Sequence, residues 1–395
     1  MGQAKRELIE IDEQGWQDVG TIVCTDCIVD EALVQAIRAN NGSSACSYCE
    51  RLPRSPAASA PLEVVLRLIV DGFRYEYEDP IEHMGRDDEW VGTVHELSDL
   101  LWEFQATERT DVHEALNDAI VQDQWCQKDP YAESPTQALT WGWKAFRRFV
   151  KNNRRLPDIQ DGKADALGAG AIPKHDMPSA LVQSVLEAGL VRTLPASTDW
   201  WRIRVHNAGE RYTAAADIGT PKDEFAQHNR MSPKGLGAFY GASTRDGARK
   251  EVAGYAETTA EGTIGLFRTA RPLDVLDLTD LPDVPSLFDP DRRHLRAPIL
   301  FLNGFVRDVT EVAEPSDDEK LDYIPTQKVA EIFRTEIAGK EGPLAGIMWR
   351  SSKDKMVTSC VLFIPSSEVA DAGAEDSNTR LSLDPTSVKT LPAPL

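Results

Sequence analysis

Apolar residues recur at helical spacing between residues 62 and 155. Leu62, Val65, Leu66, Ile69 and Phe73 repeat at three and four, as do Val94, Leu97, Leu101 and Phe104, and 138–150 carries Trp141, Phe146 and Phe149. This pattern predicts mostly helix over 62–155, with the aromatics as core packing. A short helix follows at Leu181, Val185 and Leu186, and the period then turns strand-like. Strands are expected at 199–205, 263–269, 273–278, 346–349 and 356–364. Residues 51–61, rich in Pro, Ala and Ser, and 153–178, rich in Gly, Pro and Asp, read as linkers. The acidic stretch 311–322 reads as a surface loop, and 367–395, without periodicity, as a mobile tail. No internal repeat is present.

A chain of 395 residues exceeds one ordinary core. The expected domains are a cysteine-bearing module over 1–55, a helical domain over 56–155, a linker and helix over 156–195, a mixed α/β domain over 196–366 and the tail over 367–395. The fold class is therefore α+β. With 41% hydrophobic and 27% charged residues, the composition fits a globular protein. No run approaches the roughly 18 apolar residues of a membrane-crossing helix. The N-terminus Met1-Gly2-Gln3-Ala4-Lys5-Arg6-Glu7 lacks an apolar signal core, so a cytoplasmic location without a membrane partner is expected. The net charge of −21 opposes nonspecific nucleic-acid binding and leaves specific recognition open. An anionic ligand must be held by local arginines against this field.

Four of six cysteines lie before residue 50, as Cys24-Thr25-Asp26-Cys27 and Cys46-Ser47-Tyr48-Cys49. Two such knuckles can place four thiolates around one zinc, and closed four-cysteine sites are structural. The alternative, a disulfide framework, needs an oxidising compartment that nothing in the sequence indicates.

The densest candidate chemistry lies between residues 200 and 252. It comprises Trp200-Trp201-Arg202-Ile203-Arg204-Val205-His206, Asn229-Arg230-Met231-Ser232-Pro233-Lys234-Gly235, Ala238-Phe239-Tyr240-Gly241-Ala242 and Ala248-Arg249-Lys250-Glu251-Val252. This succession resembles the RES domain family, named for an arginine, a glutamate and a serine, whose members resemble ADP-ribosyltransferase toxins in fold and consume NAD. The preceding half, with Phe73-Arg74-Tyr75-Glu76-Tyr77-Glu78-Asp79-Pro80, Trp125-Cys126-Gln127-Lys128-Asp129-Pro130-Tyr131 and Trp143-Lys144-Ala145-Phe146, looks like the HEPN-type domain that precedes some RES domains. HEPN ribonucleases separate an arginine and a histidine by four to six residues. Arg109-Thr110-Asp111-Val112-His113 has three between, so nuclease activity is not expected.

The resemblance implies NAD as substrate, bound to be cleaved. Arginine suits the pyrophosphate because its planar fork binds phosphate oxygens in pairs, which marks Arg202 or Arg204 and Arg230. Tyr240 suits the nicotinamide by stacking. Glu251 suits the positive charge that develops at the ribose C1′. Ser243 or Thr244 could cap the helix that carries Glu251. Each residue also has a bland role: an arginine as surface charge or turn support, Tyr240 as core, Glu251 as a solvated helix face. The family's serine is expected shortly before a glutamine. Ile324 stands there, so Thr326, beside Gln327, or Ser351 would supply the hydroxyl. Phosphate-loop, nucleophile-elbow and metalloprotease motifs are absent. The expected activity is NAD glycohydrolysis or phosphorolysis in a toxin-like enzyme, with ADP-ribosylation of a macromolecule, or a non-enzymatic zinc and HEPN-type adaptor, as alternatives. An antitoxin or immunity protein and a second copy of the chain are the implied partners.

Overall fold

A computed structural model describes residues 3–42, 44–49, 58–84, 86–87, 89–90, 92–162, 170–253, 261–310 and 323–392. They form two compact units. The first comprises Met1–Gln137, Gly168–Ala171 and Asp283–Ala297, the second Ala138–Leu167, Ile172–Pro282 and Pro298–Leu395.

The first unit is mainly helical, as its apolar spacing predicts. Asp30 caps the Glu31–Ala39 helix by accepting the Leu33 amide at 3.1 Å. The Glu63–Glu76 helix buries Val65, Leu66, Ile69, Val70, Gly72 and Phe73 along one stripe. Helices Leu97–Glu103 and Thr110–Ala119 complete the same core through Leu97, Leu100, Leu101, Val112 and Leu116. Short strands were not expected here, yet Tyr77–Glu78, Gln124–Gln127 and His95–Glu96 form a three-stranded sheet. A segment remote in sequence, Asp283–Ala297, also belongs to this unit. Its Phe288 is fully buried, with the ring 5.7 Å from Phe73 and 6.2 Å from Phe104. Arg293 pairs with Asp71 at 2.8 Å.

A nine-stranded mixed sheet dominates the second unit. Its order is Val369–Asp371, Leu381–Leu391, Glu261–Thr269, Asp199–His206, Phe239–Ala242, Thr358–Leu362, Gly346–Arg350, Leu273–Asp277 and Val191–Leu194. Two pairs are parallel, Leu273–Asp277 with Gly346–Arg350 and Val369–Asp371 with Leu381–Leu391. One sheet face buries Trp200, Phe239, Phe267, Val275 and Leu362. On the other, Ile203, Ala242 and Ile264 pack with Ala248 and Val252 of the Arg245–Ala253 helix. Strand alternation explains the division, because Trp200 and Ile203 stand at opposite parity.

Several boundaries differ from expectation. The helix Pro135–Asn153, assigned from sequence to the helical domain, lies from Ala138 onward in the second unit. There Trp143 meets Phe305 at a ring separation of 5.0 Å, and its indole N–H donates to Asp308 at 3.0 Å. Residues 367–395 are not a mobile tail. Leu381 and Leu383 are fully buried in a strand paired along Glu261–Thr269. Only alternate residues at its start face the core, too brief a signal for periodicity to reveal. Within 51–61, Ser59–Pro61 pairs with Ile22–Cys24, whereas 51–57 lie outside the described residues, as do 163–169 of the second linker and the acidic loop at 311–322. Among the described residues no helix is long and apolar enough to cross a membrane.

Candidate active site

Glu251 stands on the Arg245–Ala253 helix, and the sequence fixes where that helix begins. The Thr244 hydroxyl accepts the Gly247 amide at 3.0 Å, the expected cap, while the Ser243 hydroxyl accepts the Thr358 amide at 3.0 Å and ties the helix start to the sheet. The carboxylate is half-buried, and one of its oxygens, Oε1, accepts two hydroxyls: Ser351 at 2.6 Å and Ser359 at 2.9 Å. Both serines are buried. Of the two residues considered from sequence for the missing serine, Ser351 is therefore the one at the glutamate. Ser359 was not anticipated; its only trace is a small polar residue inside an apolar strand.

Thr326 is engaged elsewhere. Its hydroxyl donates to the Arg230 carbonyl at 2.5 Å and the Tyr323 carbonyl at 2.9 Å. The adjacent Gln327 donates to the Asn229 carbonyl at 2.8 Å. The start of the Ile324–Glu336 helix thus grips the loop that carries Arg230. Tyr240 grips the same loop, its hydroxyl accepting the Met231 amide at 3.2 Å and lying 3.0 Å from the Ser232 hydroxyl. Burial pushes the Tyr240 phenol up to about 12, so it stays neutral at physiological pH.

The Arg230 side chain is half-buried and its guanidinium donates to the Thr310 carbonyl. Burial draws it below the ordinary arginine value, opposed by Tyr323, Glu251 and Tyr240, whose fields reach it. Arg230, Tyr240 and Glu251 therefore share one electrostatic neighbourhood. Arg202 bridges two strands that pair only at Ala242 and Trp201: its Nη1 donates to the Tyr240 carbonyl at 2.9 Å and its Nε to the Ile218 carbonyl at 2.8 Å. Arg204 donates to the Asp217 carbonyl at 3.0 Å and lies over the Tyr212 ring. Neither is plain surface charge.

In the first unit, the thiols of Cys24, Cys27, Cys46 and Cys49 all lie within 4.8 Å of one another. The Cys24–Cys27 and Cys24–Cys49 sulfurs are 3.6 Å apart, and Cys27–Cys46 3.8 Å. Four sulfurs at about 2.3 Å from one ion form a tetrahedron with edges of about 3.8 Å, so this donor set fits zinc. Burial pushes the Cys24 thiol up to about 11 and raises Cys27 too. Burial also opposes ionisation of Cys46, but amide hydrogen bonds at Tyr48 and Cys49 outweigh it and lower that thiol. Around the knuckles, Thr107 donates to the Cys27 carbonyl at 2.7 Å and Arg109 to the Tyr48 carbonyl at 2.9 Å. His113 stacks on Trp102 at 4.2 Å. Arg109 and His113 thus hold structure.

A mixed sheet carrying Arg202 and Tyr240, with a serine-held glutamate on the helix packed against it, defines an α/β domain with a half-buried carboxylate site. Residues 199–384 match the RES domain, and residues 39–163 match the family described as HEPN/RES N-terminal domain 1. The chain carries a HEPN/RES N-terminal domain followed by a RES domain, a family associated with NAD-related toxins. No curated protein and no solved structure matches it significantly.

Proposed function

We propose that the RES domain binds NAD and breaks its nicotinamide–ribose bond. The observation that carries this proposal is Glu251, a half-buried carboxylate fixed by two buried hydroxyls. Arg230 would hold the pyrophosphate and Tyr240 would flank the nicotinamide, while Arg202 and Arg204 would support the strand through the Ile218, Tyr240 and Asp217 carbonyls they hold. As the C1′–N bond breaks, its electron pair leaves with nicotinamide and positive charge grows on the ribose. Glu251 would face that charge, and the oxygen of water, which gives up a proton to solvent, or of phosphate then bonds to C1′. The four cysteines would hold one structural zinc, which supplies a cross-link rather than chemistry. A reducing cytoplasm suits free thiols of this kind.

The test is mass-resolved NAD incubated with purified protein. Free ADP-ribose or its phosphate supports glycohydrolysis or phosphorolysis; ADP-ribose attached to a macromolecule moves the activity to transfer; intact NAD leaves the adaptor. Glu251→Gln keeps the shape and removes the charge, so turnover should fall about a hundredfold or more while NAD still binds. Wild-type turnover in that variant would sink the mechanism.

A further inference from the structure

We propose that Ser359 is a positioning residue for Glu251, acting with Ser351 to hold the carboxylate in one rotamer and keep Oε2 open to the reacting ribose. The proposal rests on the NAD-cleaving role of Glu251 given above. Ser359 lies on the Thr358–Leu362 strand, in register with Ala242 on one side and Trp349 on the other. Ladders on both flanks fix its backbone. A buried interior strand position favours a β-branched or aromatic residue, and a serine there must find a partner. Its hydroxyl finds the Glu251 Oε1 at 2.9 Å.

Ser351 arrives from a less rigid place. It follows the Gly346–Arg350 strand, its amide donates to the Val357 carbonyl at 2.9 Å, and its hydroxyl also accepts the Lys353 amide at 3.1 Å. One hydroxyl therefore comes from the sheet and one from a turn. A glutamate has three side-chain torsions, and two donors converging on one oxygen remove most of that freedom before the ligand arrives. Both donors meet Oε1 and, among the described residues, neither meets Oε2.

Ser359→Ala should lower kcat for NAD about tenfold, with KM little changed, because the loss falls on charge stabilisation in the transition state. Ser359→Thr keeps the hydroxyl and should restore most of the rate. Thermal melts of Ser359→Ala, Glu251→Ala and the double variant give the coupling between the two side chains without reference to NAD, and it should be favourable. Wild-type kcat in Ser359→Ala, a rise in KM alone, or additive melts would overturn the clamp. If instead Glu251→Gln keeps full turnover, NAD cleavage at Glu251 fails, and the melts alone decide whether Ser359 holds it.

Discussion

Arg230 combines burial with a tether, and the two together set what replacing it should do. Its guanidinium donates to the Thr310 carbonyl while Thr326 and Gln327 hold its own loop from the backbone side. An arginine binds phosphate strongly because its planar fork offers two parallel hydrogen bonds. Arg230→Lys should weaken NAD binding about tenfold or more, since an ammonium offers a point charge in place of the fork. Titration calorimetry with wild type and variant checks this; equal affinity would leave Arg230 as a loop anchor. The residue types at this site were readable from the sequence. Their partners were not, because Thr310, Thr326, Ser351 and Ser359 lie 80 to 108 positions from the Arg230 and Glu251 groups they meet.

At the scale of elements, the two cysteine knuckles depend on each other. Cys24 ends the Ile22–Cys24 strand and Cys46 lies in a segment whose Ser47 amide donates to the Ile22 carbonyl at 2.8 Å. Backbone pairing brings the knuckles near, and a metal would close them. One zinc per chain is expected by elemental analysis, and Cys46→Ser should lose it and lower the melting temperature, since metal binding and folding are linked. Zinc-free protein with an unchanged melt would remove the site. Knuckle spacing made these ligands legible, because short-range geometry decides them. The Arg245–Ala253 helix was legible for the same reason: a capping threonine and an apolar face are local signals.

At the largest scale, the core of the first unit draws on a remote segment that no local signal reveals. Asp283–Ala297 leaves the RES half of the sequence and completes the core of the first unit. Gly72, inside the Glu63–Glu76 helix, makes room for it: a Cβ there would lie 2.8 Å from the Phe288 ring and 3.0 Å from the Leu287 carbonyl. Alanine is the better helix former by about 1 kcal/mol, which alone would stabilise. Overpacking against a buried ring and a backbone oxygen opposes this, and Gly72→Ala should lose a net of about 1–2 kcal/mol in urea unfolding. A variant as stable as wild type would show that this segment yields easily.

The sequence by itself determined the helix and strand periods, the cysteine knuckles, the cap of the Glu251 helix and the order of arginine, tyrosine and glutamate. Each is written within a few residues, where backbone geometry and side-chain chemistry act directly. Tertiary structure decided the rest. It chose Ser351 over Thr326 for the glutamate, added Ser359, drew Leu381–Leu391 into the sheet and gave Asp283–Ala297 to the first unit. These depend on which distant segments bury each other, and burial is a property of the packed chain: a lone serine or a short run of alternating leucines acquires its role only when a partner strand, ring or carboxylate arrives beside it.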